Sequence, residues 1–221
     1  MIEIPIYNQA GEPTGKLEVD EQVLGGEVRP ALLKQAYVRY HANRRQGTAT
    51  TRGRSDVAHA GRKLYRQKGT GNARRGDMNA NLLRGGGHAH PKTVKSWRQS
   101  MPVKQRRLAN RNALLAKVID GELKLVEGLE LAEPSTKQMA KLVAALGIDR
   151  PCLLALGDTK SAAGRSARNL ADVSLTQVER LNAFDVLNHR YLVAERAAFE
   201  AYVERLKAQA GATAGGREVA A

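Results

Sequence analysis

The sequence predicts an α/β fold: a mostly parallel sheet flanked by helices, with a long extended basic loop inserted after the first long helix. Three observations carry that reading. From about residue 123 onward, short apolar runs of strand length alternate with segments of helical periodicity, as strand–helix–strand units do. From about Asn43 to Met101 the periodicity vanishes and glycine becomes frequent. Charge is also uneven. His41 to Arg111 holds eighteen of the chain's 36 basic residues and only two acids, Asp56 and Asp77, which is +16 over 71 residues; the other 150 residues carry 18 basic and 20 acidic side chains, or −2. Like charges gathered in one segment repel and do not help it fold. A polyanion compensates them, and nucleic acid is the commonest in a cell.

The elements follow in order. Ile2, Ile4 and Ile6 alternate, and Leu17 and Val19 follow a Gly/Pro-containing turn, which predicts a strand or hairpin. Pro30 suits the first turn of a helix, and Leu33, Ala36, Tyr37 and Tyr40 then give it one apolar face. The loop over 43–101 has few large apolar residues and no face for a core. Loops of that length inside compact domains are functional or disordered, and this one is expected to be mobile alone and ordered on its partner. Helical spacing returns after Pro102, with Lys104, Arg107 and Arg111 on one face and Leu108, Leu115 and Val118 on another.

Beyond it, Leu123–Val126 reads as a strand. Ser135 and Gln138 have capping-box spacing before a helix carrying Met139, Leu142, Val143 and Leu146, with Gly147 as its stop. Pro151 to Leu156 reads as a buried strand, Ser161 to Arg168 as a short helix and Asp172 to Leu175 as a short strand. Asn182 opens another short helix, Tyr191 to Val193 makes a last strand, and Glu195 to Lys207 is a helix packed through Phe199, Val203 and Leu206. The Ala/Gly-rich end reads as a disordered tail. The domain organisation is therefore one globular domain over 1–207, interrupted by the loop over 43–101, and a tail over 208–221.

Composition narrows the function. The single cysteine, Cys152, lies in an apolar run and reads as a buried structural thiol, in keeping with a reducing compartment. The start lacks a signal-peptide pattern, and no apolar run approaches the ~20 residues that span a bilayer. A cytoplasmic protein without a membrane partner is expected. No Ser/His/Asp, Cys/His or paired-carboxylate arrangement is legible, so no catalytic residue and no cofactor is assigned; Asp172 and Asp185 suit turns and helix starts.

The densest motif is Tyr65-Arg66-Gln67-Lys68-Gly69-Thr70-Gly71-Asn72-Ala73-Arg74-Arg75-Gly76. Glycine lets backbone N–H groups come close, Arg offers a planar fork to phosphate oxygens and Lys a point charge. Such a segment can thread between helices of folded RNA. Gly71 and Gly76 have P-loop spacing, but Asp77 stands where the lysine is required and no Ser or Thr follows. His88 and His90 suggest a metal pair, yet a site needs further ligands and the local field opposes a cation, so no metal is assigned. Tyr65 and Trp97 are the loop's only aromatics, too few for a run of stacking platforms.

Recognition is therefore assigned to backbone charge and shape. The candidate RNA-binding residues before the dense motif are Arg44, Arg45, Arg52, Arg54, Arg62 and Lys63. Within it are Tyr65, Arg66, Gln67, Lys68, Gly69, Thr70, Gly71, Arg74 and Arg75. After it come Arg84, Gly85, Gly86, Lys92, Lys95, Trp97 and Arg98, followed by Lys104, Arg107 and Arg111 on the next helix.

Arg66-Gln67-Lys68-Gly69-Thr70-Gly71, then Ala73-Arg74 and Arg84-Gly85-Gly86, resembles the bacterial large-subunit ribosomal protein L-four family. Pro102-Val103-Lys104-Gln105-Arg106-Arg107-Leu108-Ala109 with Ala113-Leu114 is similar to that family's return helix, and Ala167-Arg168-Asn169-Leu170 to a signature near its C-terminus. The likeness covers about Ile4 to Leu206. It implies a globular domain on the outer face of the large subunit and a loop entering large-subunit ribosomal RNA. It also implies a role in early assembly. Arg66 to Gly71 would lie at or near the loop tip, which lines the nascent-peptide exit tunnel beside another ribosomal protein's loop. Tyr65 stands where the family usually has Trp, Asn72 where it has a basic residue, and His88-Ala89-His90-Pro91 where it has an apolar-aromatic stretch. These departures bear on tunnel-wall contacts, not on RNA binding. Two rival readings are a metal-dependent nuclease using His88, His90 and Asp77, and a nonspecific DNA-compacting protein.

Overall fold

The computed structural model describes residues 1–129, 131 and 133–215. Contacts divide the chain into two compact units: Met1–His41 with everything from Ser100 onward, and Ala42–Gln99.

The first unit is the α/β body. Strands β1 (Ile2–Tyr7) and β2 (Pro13–Val19) form an antiparallel hairpin with Ile4 opposite Leu17. Helices α1 (Pro30–Arg44) and α2 (Val103–Ile119) flank the second unit in sequence. There follow β3 (Leu123–Val126), α3 (Thr136–Ala145), β4 (Cys152–Leu156), α4 (Ala162–Ala167), β5 (Val173–Gln177), α5 (Ala183–Asn188), β6 (Tyr191–Glu195) and α6 (Arg196–Gly215). The six strands lie in the order β2-β1-β3-β6-β4-β5, and every neighbouring pair except β1–β2 is parallel.

The sheet buries both faces, which is why its central strands read as continuous apolar runs and not as alternation. The period of two is still present. Leu153 and Ala155 of β4 and Leu192 and Ala194 of β6 join the cluster under α1, α2 and α6. Leu154 and Leu156, with Val193, join the cluster under α3 and α4. Cys152 is 1% exposed; burial first, and Asp172 second, push its thiol up to about 11.

Local expectations fail where tertiary contacts intervene. Ser135 is the N-cap of α3, but its side chain makes no capping bond. Its own N–H is instead accepted by the Ser166 hydroxyl at 2.8 Å, the role that Gln138 would play in a capping box. Ser166 in turn donates to the Ala162 carbonyl at 2.7 Å, so a neighbouring helix supplies the cap. Strand β5 runs to Gln177, two residues past Leu175, and a 3-10 turn at Val178–Arg180 follows it. Helix α6 runs to Gly215, past Lys207 and into the segment read as a disordered tail. Alanine is the best helix former, so the tail's Ala content outweighs its glycines there. The rest of that segment, 216–221, lies outside the described residues.

Apolar spacing on α2 also missed two buried polar residues. Asn112 is fully buried and donates to the Leu24 carbonyl at 3.4 Å. Lys117 donates to Glu122 at 2.6 Å and to the Arg190 carbonyl at 2.7 Å, and Glu122 also meets the Arg190 guanidinium at 3.3 Å. Buried charges persist when paired in this way.

Candidate nucleic-acid interface

The second unit, Ala42–Gln99, is held by hydrogen bonds between an outgoing and a returning leg and not by an apolar core. At its base the Asn43 side chain accepts from the Gln99 N–H at 2.8 Å and donates to the Gln99 carbonyl at 3.3 Å. The Lys95 N–H then donates to the Gly47 carbonyl at 3.1 Å and the Thr51 N–H to the Lys92 carbonyl at 2.9 Å. The Thr51 hydroxyl accepts from the Lys92 N–H at 2.8 Å. Farther along, the His88 N–H reaches the Arg52 carbonyl at 2.9 Å and the Leu64 N–H the Gly76 carbonyl at 2.9 Å. Each step outward on one leg meets a step inward on the other, so 43–64 and 76–99 run side by side.

Close approach explains part of the glycine content. A Cβ on Gly87 would sit 2.5 Å from the Arg54 backbone nitrogen and 2.6 Å from the Gly53 carbonyl carbon. Only a residue without a side chain fits there. The sequence suggests flexibility and phosphate access for these glycines; leg-to-leg contact is a further reason that periodicity does not reveal.

At the tip, the Tyr65 hydroxyl donates to the Ala73 carbonyl and closes residues 65–73 into a loop. Within it the Arg66 guanidinium donates to the Gly69 carbonyl at 2.9 Å, and just before it Lys63 reaches Gln67 at 2.5 Å. Gly69 and Gly71 have φ of +80° and +68°, the left-handed region a tight turn needs.

All fourteen Lys and Arg residues between 42 and 99 are exposed: Arg44, Arg45, Arg52, Arg54, Arg62, Lys63, Arg66, Lys68, Arg74, Arg75, Arg84, Lys92, Lys95 and Arg98. The unit's two acids are engaged internally. Asp77 meets Arg54 at 3.3 Å, and Asp56 accepts the Gly53 N–H at 2.9 Å. Thr70 and Gly86 are half-buried, while Gln67 and Gly85 are exposed. Trp97 is half-buried, and Arg45 and Lys95 lie 3.6 and 3.7 Å from its ring centroid. Its ring is therefore engaged by the unit's own cations, contacts worth about 0.5–1 kcal/mol each at an exposed site. Arg45, Lys92 and Lys95 line a cleft of about 490 Å³ with Trp97, and no acid lines it. In the body, Lys104 and Arg107 of α2 are exposed and Arg111 is half-buried, clear of the residues that α2 buries.

His88 and His90 are exposed, and among the described residues no three His, Cys, Asp or Glu side chains gather to hold a metal ion. Asn43, Thr51, Asn79 and Gln99, which shape the unit, carry no charge and were not singled out by sequence. Of these only Asn43 and Gln99 pair with each other across the legs; Thr51 pairs with Lys92 and Asn79 with Gly87 on its own leg, so no spacing in the sequence marks them.

A model of the ribosomal protein L4/L1 family matches residues 17–205. The chain belongs to that family. It is 41% identical over 192 residues to the large ribosomal subunit protein uL4 of Dehalococcoides mccartyi, covering 87% of this chain and 91% of that one. It is 36% identical over 206 residues to the protein of the same name from Desulfatibacillum aliphaticivorans, covering 93% of this chain and 100% of that one. Family membership makes this a structural ribosomal protein and not an enzyme. The resemblance of the Arg66–Gly71 and Pro102–Ala109 segments pointed to this family.

Proposed function

We propose that this chain is a structural constituent of the large ribosomal subunit, whose basic insertion binds large-subunit ribosomal RNA and supports early assembly. Its tip, Tyr65 to Gly76, lines the nascent-peptide exit tunnel beside a neighbouring ribosomal protein and meets the nascent peptide. The protein acts in the cytoplasm, on the ribosome. The observation that carries this reading is the insertion's charge: fourteen exposed cations, with its only two acids engaged internally. Such a surface releases counterions from RNA and screens repulsion between phosphates, so that RNA helices can approach one another. Ordering the insertion costs on the order of 1–2 kcal/mol per backbone residue, and the phosphate contacts offset that cost.

The test is the affinity for large-subunit ribosomal RNA as a function of salt. With roughly six to ten phosphates contacted, affinity falls about a thousandfold or more between 50 and 200 mM salt. An affinity indifferent to salt would count against the proposal, and equal affinity for duplex DNA at the same salt would favour a nonspecific DNA-compacting role. For the tip, a photo-crosslinker at Tyr65 in translating ribosomes is expected to label the nascent chain.

A further inference from the structure

We propose that the body carries its own RNA phosphate site, a pocket between α1, α2 and the start of α5 built from Arg39, Arg106 and the exposed Tyr40. The inference rests on the RNA-binding reading above and adds a site to it, in which Arg106 from the basic stretch is joined by Arg39 from outside it. The pocket has a volume of about 140 Å³ and is lined by Arg39, Tyr40, Arg106, Asn110, Asn182 and Phe184, with alanines at its base and no acid in its wall.

Three features make it a built site. The first is the state of its two arginines. Elsewhere in the body, Arg190 meets Glu122, Arg196 meets Glu127 and Glu200, and Arg205 meets Glu179, while Arg150, Arg168 and Arg180, without an ion pair among the described residues, are exposed to water. Neither Arg39 nor Arg106 has an ion pair among the described residues, and the Arg39 Nε is buried with no hydrogen-bond partner. A guanidinium partly removed from water and left without an acceptor is costly, and an incoming anion offsets that cost.

The second feature is the wall. Asn110 accepts the Ala183 N–H at 2.9 Å and donates to the Leu181 carbonyl at 3.3 Å. Asn182 accepts the Asp185 N–H at 2.9 Å and donates to the Asp185 carboxylate at 2.6 Å. Asn110 ties α2 to the start of α5 and Asn182 caps α5 itself, so both amides are spent, and the nearby carboxylate of Asp185 is held by Asn182. The two guanidiniums are left as the pocket's donors.

The third feature is aromatic. Tyr40 is 37% exposed and stacks on buried Phe184 at 5.0 Å with only 14° between the planes, and Tyr37 packs on the same ring at 4.9 Å. A rigid, partly open aromatic beside two guanidinium forks suits a nucleotide, with its phosphate on the arginines and its base or sugar against the ring. An acidic protein segment would use the arginines but not the ring, so RNA is the favoured occupant.

The test uses the full chain and a transcript of large-subunit ribosomal RNA. Arg106 is exposed, so Arg106→Gln leaves the fold intact; the pair Arg39→Gln with Arg106→Gln removes both donors. Each lost phosphate contact is expected to make the slope of log affinity against log salt shallower by about 1, with affinity lower on the order of tenfold per arginine. Tyr40→Leu is expected to weaken binding with the slope unchanged, which a merely structural role for the arginines does not produce. A companion variant, Arg66→Gln with Lys68→Gln, tests the insertion. If that variant loses affinity while Arg106→Gln keeps both affinity and slope, the pocket serves another partner and the inference falls alone. If neither set changes binding, the RNA reading of the insertion falls as well.

Discussion

Replacing Gly87 with alanine separates shape from charge in RNA binding. The added methyl carbon would lie 2.5 Å from the Arg54 nitrogen, 2.6 Å from the Gly53 carbonyl carbon and 2.7 Å from the Arg54 Cα, against an ordinary contact of at least 3.4 Å. All three neighbours are backbone, so no rotamer change relieves the contact and the legs must part by about 1 Å. One hydrogen bond joins the legs at this point, from the His88 N–H to the Arg52 carbonyl at 2.9 Å. A 1 Å opening takes it beyond hydrogen-bonding range. At about 1 kcal/mol net per bond, the paired conformation loses about 1 kcal/mol. If RNA binds the paired conformation, affinity falls about 5-fold, since 1.4 kcal/mol is a factor of ten. No charge changes, so the salt slope stays that of the parent. Filter binding across a salt series reads both quantities, with Gly61→Ala as control because nothing lies within 4 Å of its Cβ position. Parental affinity in Gly87→Ala would refute the claim that leg pairing belongs to the bound state.

Other outcomes follow from the body and the insertion. Limited trypsin digestion of the free protein is expected to cut between about residues 46 and 100 and to spare the body; equal resistance of both would contradict the insertion's independence. Cys152 is expected to resist alkylation at pH 8 in the folded protein and to react on unfolding. Its folded pKa, about 11, lies above the ordinary 9.0. It therefore contributes stability that is present below pH 9 and lost as pH rises toward 11, which urea titrations across that range can detect. Glu122→Ala leaves the Lys117 ammonium, with only a tenth of its side chain exposed, against a single carbonyl. Loss of such a pair costs about 3 kcal/mol, or roughly 6–12 °C in melting temperature for a chain of this size; an unchanged melting curve would show that water reaches the site freely.

Much of the body was legible because its signals are local. Leu123–Val126 and Cys152–Leu156 are apolar runs of strand length, Gly147 stops α3 with φ of +67°, and the Asn182 side chain caps α5. What escaped depends on partners distant in sequence. Ser166 caps a helix 31 residues earlier, Lys117 meets a carbonyl 73 residues away, and Arg39 and Arg106 come from helices separated by the whole insertion. Within the insertion, charge was visible and pairing was not. The legs meet through backbone atoms, a clamp at Asn43 and glycine contacts, none of which leaves an apolar period. The Tyr65–Gly76 motif was found by its residue types, while the closure of its ends by the Tyr65 hydroxyl was not.

Strands β1 and β3 are parallel neighbours in the sheet, so the chain must leave one and return to begin the other, and the basic insertion occupies part of that detour. The entropy of closing such an excursion grows only with the logarithm of its length, about 0.6 kcal/mol per doubling. Reach can therefore vary without shifting the register of a single strand, and the place to shorten or extend it lies between Asn43 and Gln99, the two residues whose contact closes the base of the insertion.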